Sequence, residues 1–305
     1  LYPYQKDALA RIIFTPNTLL AHDVGAGKTY VMIAAAMEMR RMGLSEKNMF
    51  VVPNNIVGQW KNIFHEMYPS ADILCVDPKS FAPSKRESVL ERIRDNDFDG
   101  IIIAYSCFEQ IPLSKGYYQN LLIDEQKHIA EIAGKKNKAT SRLKKKQEAV
   151  SKALSELSVA MDDLYNGVYF DDLGITRLFV DEAHNFKNVP FETKTNNVLG
   201  INSSGSKRCQ DMMDKVHMIQ KKNDGKGVVL ATGTPIITGY LRSQMPILRC
   251  LCRTASQDYV VLFCFFGVRL IRICKIIYIN TIILGIPNRF ISSATIMLNI
   301  AYNEV

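Results

Sequence analysis

Ala21-His22-Asp23-Val24-Gly25-Ala26-Gly27-Lys28-Thr29 sets two glycines, a lysine and a threonine between two apolar segments. Thr18 to Ala21 before it reads as a buried strand, and Tyr30 to Met42 after it reads as a helix. Glycines let several backbone N–H groups converge on a phosphate chain, and the following helix adds positive potential at its N-terminus. In that setting Gly25, Ala26, Gly27, Lys28 and Thr29 are the expected phosphate cradle. Lys28 is placed to reach the β- and γ-phosphates, and the Thr29 hydroxyl to ligate Mg²⁺. The strict P-loop pattern has glycine where His22 stands, so the loop is a variant.

Outward from the loop, short apolar runs recur between helical segments. They are Met49 to Val52, Ile73 to Val76, Gly100 to Ala104, Leu178 to Val180 and Val228 to Ala231. Runs this uniformly apolar belong to strands buried on both faces, as in a parallel sheet flanked by helices. Alternation with helices such as Val57 to Met67 predicts an α/β doubly wound fold.

A second chemical signal lies far downstream at Val180-Asp181-Glu182-Ala183-His184. Apolar residues run into two carboxylates, which puts both acids at the carboxyl end of a buried strand, the edge where ligands sit in open α/β sheets. Alone, an Asp-Glu pair reads more readily as a surface cap for the next helix. With a P-loop upstream, Asp181 becomes the expected Mg²⁺ holder and Glu182 the group that polarises an attacking water.

The chain has 305 residues, 47% hydrophobic and 22% charged, the balance of a globular protein rather than a disordered one. A net charge of +8 suits a polyanionic partner without choosing between DNA, RNA and an anionic surface. The seven cysteines show no metal-ligand spacing, and the nucleotide motifs point to a reducing cytoplasmic setting. The opening Leu1-Tyr2-Pro3 carries no leader pattern and reads as the start of a piece of a longer protein.

Two segments depart from the α/β alternation. From 118 to 166 the chain is charged and helical, with Val150, Leu154, Leu157, Met161 and Leu164 spaced as a coiled-coil seam. This predicts a helical hairpin inserted in the lobe. From 240 to 305 the chain is rich in isoleucine and holds only Asp258 and Glu304 as acids. Arg269, Arg272 and Lys275 interrupt its most apolar part. Each would cost about 2.5–3.5 kcal/mol at a bilayer centre, which argues against a membrane span. The expectation is a lobe over 1–239 followed by an unrelated tail, out-of-frame or truncated.

Asp181-Glu182-Ala183-His184 is the DEAH box, and Ala231-Thr232-Gly233-Thr234-Pro235 resembles motif III of superfamily 2 helicases. The form of both motifs is similar to the Swi/Snf-like branch. More narrowly, residues 1–236 resemble the helicase region of large methylase–helicase proteins of phages and conjugative elements, on Asp171 to Ile175, the helical insertion and Asn197 to Ile201. The resemblance implies a RecA-like ATP-binding lobe that uses ATP and Mg²⁺ and tracks DNA, duplex DNA above all. It implies that Gln5, in Pro3-Tyr4-Gln5, reads adenine. It also implies that Asn54, Asn55 and Ser106 contact nucleic-acid phosphates, and that His184, Thr232 and Thr234 couple the γ-phosphate to them. Trp60, the only tryptophan, reads as a core anchor rather than a base-stacking platform. An RNA helicase lobe and a non-catalytic binding fragment remain alternatives.

The same resemblance implies a second RecA-like lobe, whose arginines complete the site and are worth about 10³–10⁵ in rate in related NTPases. No second motif set follows Ile236, and nothing marks Arg242, Arg249 or Arg253 as such arginines. An attached methylase domain belongs to the same expectation.

Overall fold

Each apolar run of the sequence becomes a strand to within one residue. The computed structural model describes residues 1–135, 147–148, 151–152, 167–186 and 206–233. The seam from Val150, the segment Asn197 to Ile201, Thr234 and the 240–305 tail lie outside the described residues. The strands are β1 (Asn17–Leu20), β2 (Asn48–Val52), β3 (Ile73–Val76), β4 (Gly100–Ala104), β5 (Arg177–Val180) and β6 (Val228–Ala231). They form one six-stranded sheet in the order β1-β6-β5-β2-β4-β3, and every pairing is parallel. This is the α/β, RecA-like P-loop architecture.

Parallel strands need crossovers, and helices supply them. The main ones are α1 (Pro3–Phe14), α2 (Lys28–Arg41), α3 (Val57–Met67), α4 (Pro83–Asp95), α5 (Tyr105–Phe108), α6 (Lys115–Lys135) and α7 (Lys207–Lys222). Helix α6 is the described beginning of the expected insertion and starts three residues before it. Helix α2 is buried nearly all round, at Val31, Met32, Ile33, Ala34, Ala35, Ala36 and Met39, because α1 and α3 both pack against it.

β2, β4 and β6 are buried at every position, as the absence of polar alternation requires. Phe50 of β2 stacks on Phe179 of β5 at 4.9 Å and meets Trp60 at 5.4 Å and Phe64 at 5.8 Å. Trp60 is 1% exposed, a core anchor. A Cβ at Gly100 would stand 2.8 Å from Phe64 Cε2, so the first residue of β4 is bare to admit that ring. No helix among the described residues is long and apolar enough to cross a membrane.

Candidate active site

Because all six strands run one way, every strand-to-helix corner opens on the same edge of the sheet. The adjacent strands β1, β6 and β5 deliver the glycine loop, Thr232-Gly233 and Asp181-Glu182 side by side. Next to them, β2 and β4 deliver Asn54 and Ser106.

The loop at 21–27 is shaped by two residues with positive φ, Gly25 at 86° and Gly27 at 75°. Gly27 is the N-cap of α2, and neither a capping side chain nor an acid in the first turn covers the exposed amides of that helix. Lys28 Nζ donates to the carbonyls of His22 and Asp23, each at 3.1 Å, and the side chain is buried. Thr29 follows in the first turn, half-buried. His22 is buried beside Tyr4, and burial first, then the Lys28 charge, hold its imidazole below the ordinary pKa.

Gln5 sits against this loop. Its Oε1 accepts the Tyr2 N–H at 2.9 Å, and its Nε2 donates to the Ala26 carbonyl at 3.1 Å. The Tyr4 hydroxyl donates to the same carbonyl at 3.2 Å. A Cβ at Gly27 would fall 2.4 Å from Gln5 Nε2, so the helix α1 side chain occupies the space that the glycine leaves. Gln5 therefore grips the loop as well as lying beside it.

Asp181 is 6% exposed. Burial pushes its carboxyl above the usual range, and the Glu182 charge adds to this. The Glu182 N–H, donating to Oδ1 at 2.9 Å, opposes the rise, as do the nearby Lys28 ammonium and the Trp60 indole. Lys28 and Asp181 thus feel one another across the edge. Glu182 carries a φ of 46°, rare for a residue with a side chain. Its Oε2 lies 3.2 Å from His184 Nδ1, and the same nitrogen lies 3.2 Å from Thr232 Oγ1. The histidine bridges the end of β5 to the end of β6.

A Cβ at Gly233 would be 2.8 Å from Val24 Cγ2 and 3.5 Å from Lys28 Nζ, so the β6 corner closes directly over the loop. Asn54 Nδ2 donates to Ser106 Oγ at 3.0 Å, and Asn54 Oδ1 accepts the Ser106 N–H at 3.2 Å. Asn55 is exposed beside them in a short 3-10 turn. Of the candidate nucleotide, metal, coupling and nucleic-acid residues, all but Thr234 fall within the described residues, and they lie along this one edge.

Three residues escaped the sequence reading. Tyr105 donates its hydroxyl to the carbonyls of Asp181 and Glu182, Asn185 donates to the Glu182 carbonyl at 3.0 Å, and Gly233 admits Val24 and Lys28. A bond from a phenol to a carbonyl far along the chain has no signature in spacing.

The oxygen donors fit magnesium. Mg²⁺ keeps waters and is usually held by one or two carboxylates together with substrate phosphates. One buried carboxylate, Asp181, and one hydroxyl, Thr29, match that need. Among the described residues no cluster of three His, Cys, Asp or Glu offers an all-protein cage.

Comparison with known proteins follows the same line. A family model described as "Probable helicase domain" matches residues 15–246. The Escherichia phage P1 protein "Defense against restriction protein B" is 23% identical over 282 residues, 77% of this chain and 12% of its own length. The Schizosaccharomyces pombe "ATP-dependent helicase fft1" is 25% identical over 130 residues, 37% of this chain and 14% of its own length. The chain thus spans about an eighth of these curated relatives. A solved SWI2/SNF2 ATPase core of Sulfolobus solfataricus in complex with dsDNA aligns with a TM-score of 0.42 at 17% identity, over 80% of this chain and 35% of that one. The family match takes in more than half of the chain and both nucleotide motifs, and the chain belongs to the probable helicase domain family.

Proposed function

We propose that this chain is the ATP-binding lobe of a duplex-DNA-dependent ATPase of the translocase kind. The observation that carries the reading is the adjacency of β1, β6 and β5, which brings Lys28, Thr232 and Asp181-Glu182 to one edge. Lys28 exchanges its two loop carbonyls for the β- and γ-phosphate oxygens. The bare amides of α2 face the same phosphates. Thr29 and Asp181 hold Mg²⁺, which when bound neutralises developing charge on the phosphoryl group. Glu182 orients the attacking water, and His184 relays its position to Thr232. Gln5 offers its remaining N–H to adenine while it braces the loop. Thr234 is assigned to the same coupling by resemblance.

Asn54, Asn55 and Ser106 form a polar, uncharged surface suited to phosphate oxygens of one strand. The charge of +8 favours a polyanion. The phage relative is named for defence against restriction, in keeping with work on DNA. A second RecA-like lobe, from a longer chain or a partner, is expected to supply the arginines, and an attached methylase domain fits the resemblance. Free thiols at Cys75, Cys107 and Cys209 suit the cytoplasm.

Trp60 is the only tryptophan and lies near Asp181, so its emission reports the site. Titration with Mg–ATP should change that emission, weakly and saturably, and Lys28→Ala should abolish the change. Phosphate release without the second lobe should be slow. Binding to matched DNA and RNA duplexes over a range of salt separates the DNA reading from an RNA helicase lobe. DNA binding with no nucleotide response at all would leave a non-catalytic binding module instead.

A further inference from the structure

The backbone of Glu182, at a φ of 46°, lies in the left-handed region that residues with a side chain rarely adopt. Such strain persists only where the surroundings over-determine it. Here the restraint comes from two directions. Within the turn, Asn185 gives its backbone N–H and its Nδ2 to the Glu182 carbonyl, both at 3.0 Å. From across the sheet, the Tyr105 hydroxyl donates to the Asp181 carbonyl and, at 3.3 Å, to the Glu182 carbonyl.

Tyr105 is itself held tightly. It is 6% exposed, and its ring meets Phe186 edge-on at 5.0 Å. The Arg208 guanidinium covers both rings at 5.0 and 4.7 Å and is fixed by an ion pair with Glu109. Burial drives the phenol well above its ordinary pKa, so it stays a donor throughout the physiological range. It is also the first residue of α5, directly before Ser106, whose N–H and hydroxyl are both locked to Asn54. One peptide unit therefore separates the surface pair from the hydroxyl that restrains the acidic turn.

We propose that Tyr105 is a positioning residue that ties the orientation of Glu182 to whatever Asn54 and Ser106 touch. A polyanion at that pair shifts the first turn of α5, and the hydroxyl carries the shift to the carbonyls of Asp181 and Glu182. Any such coupling is reciprocal: nucleic acid tightens nucleotide binding by the factor by which nucleotide tightens nucleic-acid binding. The inference rests on the function proposed above. It adds a route between the two ligands that does not pass through His184 and Thr232.

The test uses the full chain with the Mg²⁺ complex of a non-hydrolysable ATP analogue and a short duplex DNA, read by Trp60 emission. Wild type should bind the analogue about fivefold or more tightly when DNA is saturating. Tyr105→Phe keeps the ring and removes only the hydroxyl. It should bring that ratio close to one while leaving the affinity for either ligand alone within about twofold, a change of under 0.5 kcal/mol. Asn185→Ala removes a bond to the Glu182 carbonyl and a bond to the Tyr105 hydroxyl, but leaves that hydroxyl on the Asp181 carbonyl, and should keep most of the ratio. An unchanged ratio in Tyr105→Phe overturns the inference, and so does an equal loss in Asn185→Ala, which would assign the effect to general loosening. Wild-type nucleotide binding that needs Lys28 but ignores DNA overturns the coupling and leaves the nucleotide site standing. No nucleotide binding at all removes the function itself.

Discussion

Asn54 and Ser106 are joined by two hydrogen bonds, one in each direction, although they stand at the ends of different strands. The Asn54 amide is held by both the hydroxyl and the backbone N–H of Ser106, so neither residue acts alone. Asn54→Ala and Ser106→Ala should each weaken duplex binding by about tenfold or more, the loss of one hydrogen bond to a charged group. The double variant should be little worse than either single, since one change already breaks the pair. Anisotropy titrations on unrelated duplex sequences check both points, and the loss should be the same on every sequence because phosphates carry no base information.

Gly27 and Gln5 share one volume. Gly27→Ala introduces a Cβ 2.4 Å from Gln5 Nε2 at a residue whose φ is 75°. The backbone part alone should cost about 1–2 kcal/mol, and the clash adds to it. In the Gln5→Ala background the clash disappears and only the backbone part remains. Urea unfolding of the four proteins in the cycle should show that partial rescue. Simple additivity would mean that the loop moves away from α1 at no cost.

Asp181 should make the empty protein less stable at neutral pH. Its carboxyl is held high chiefly by burial, so the folded chain binds the proton more tightly than the unfolded chain does. Stability then falls as pH rises from the ordinary carboxylate value through the raised one, and the penalty is complete above both. Asp181→Asn should raise Tm at pH 7 without ligand, with the advantage vanishing in strong acid. The same variant should lose Mg²⁺-dependent nucleotide affinity by about tenfold or more. A lower Tm at pH 7 would contradict the sign.

A second carboxylate gives a measurable window. Burial on α7 pushes Asp214 from 3.8 to about 6, with Gln210 donating to it at 2.6 Å and Asp211 and Lys215 close by. The sign is as for Asp181. Its share of stability is present below the ordinary value and lost as pH climbs to about 6. Unfolding midpoints of wild type should therefore drop across that interval relative to Asp214→Asn. Parallel curves would rule out this titration.

Much of the architecture could be read in advance because the strands carry little but apolar side chains. Met49 to Val52 and Gly100 to Ala104 have no polar alternation, and nothing except a two-faced core accommodates such runs. The order of the strands was another matter. That β6 lies between β1 and β5 depends on pairing across most of the chain, which local periodicity does not encode. Lys28 and the two acids stood out because phosphate and metal chemistry need those residue types at strand ends. Tyr105 did not, because its hydroxyl acts on backbone carbonyls, and Asp181 and Glu182 look the same in sequence with or without it. The grip of Gln5 on Ala26 was hidden for a similar reason: a glutamine on an amphipathic helix is ordinary until the helix is placed.

Among the described residues β1 pairs with one strand only, β6, from Asn17 opposite Val228 to Leu20 opposite Ala231. A ribosome adding about 5–20 residues per second would take roughly 10–40 s between those two segments. For that interval the nascent glycine loop has a leading strand with no hydrogen-bonding neighbour, and the phosphate cradle is assembled last, when residue 231 has emerged. A chain released before that point would carry the glycine loop without the strand that flanks β1 among the described residues.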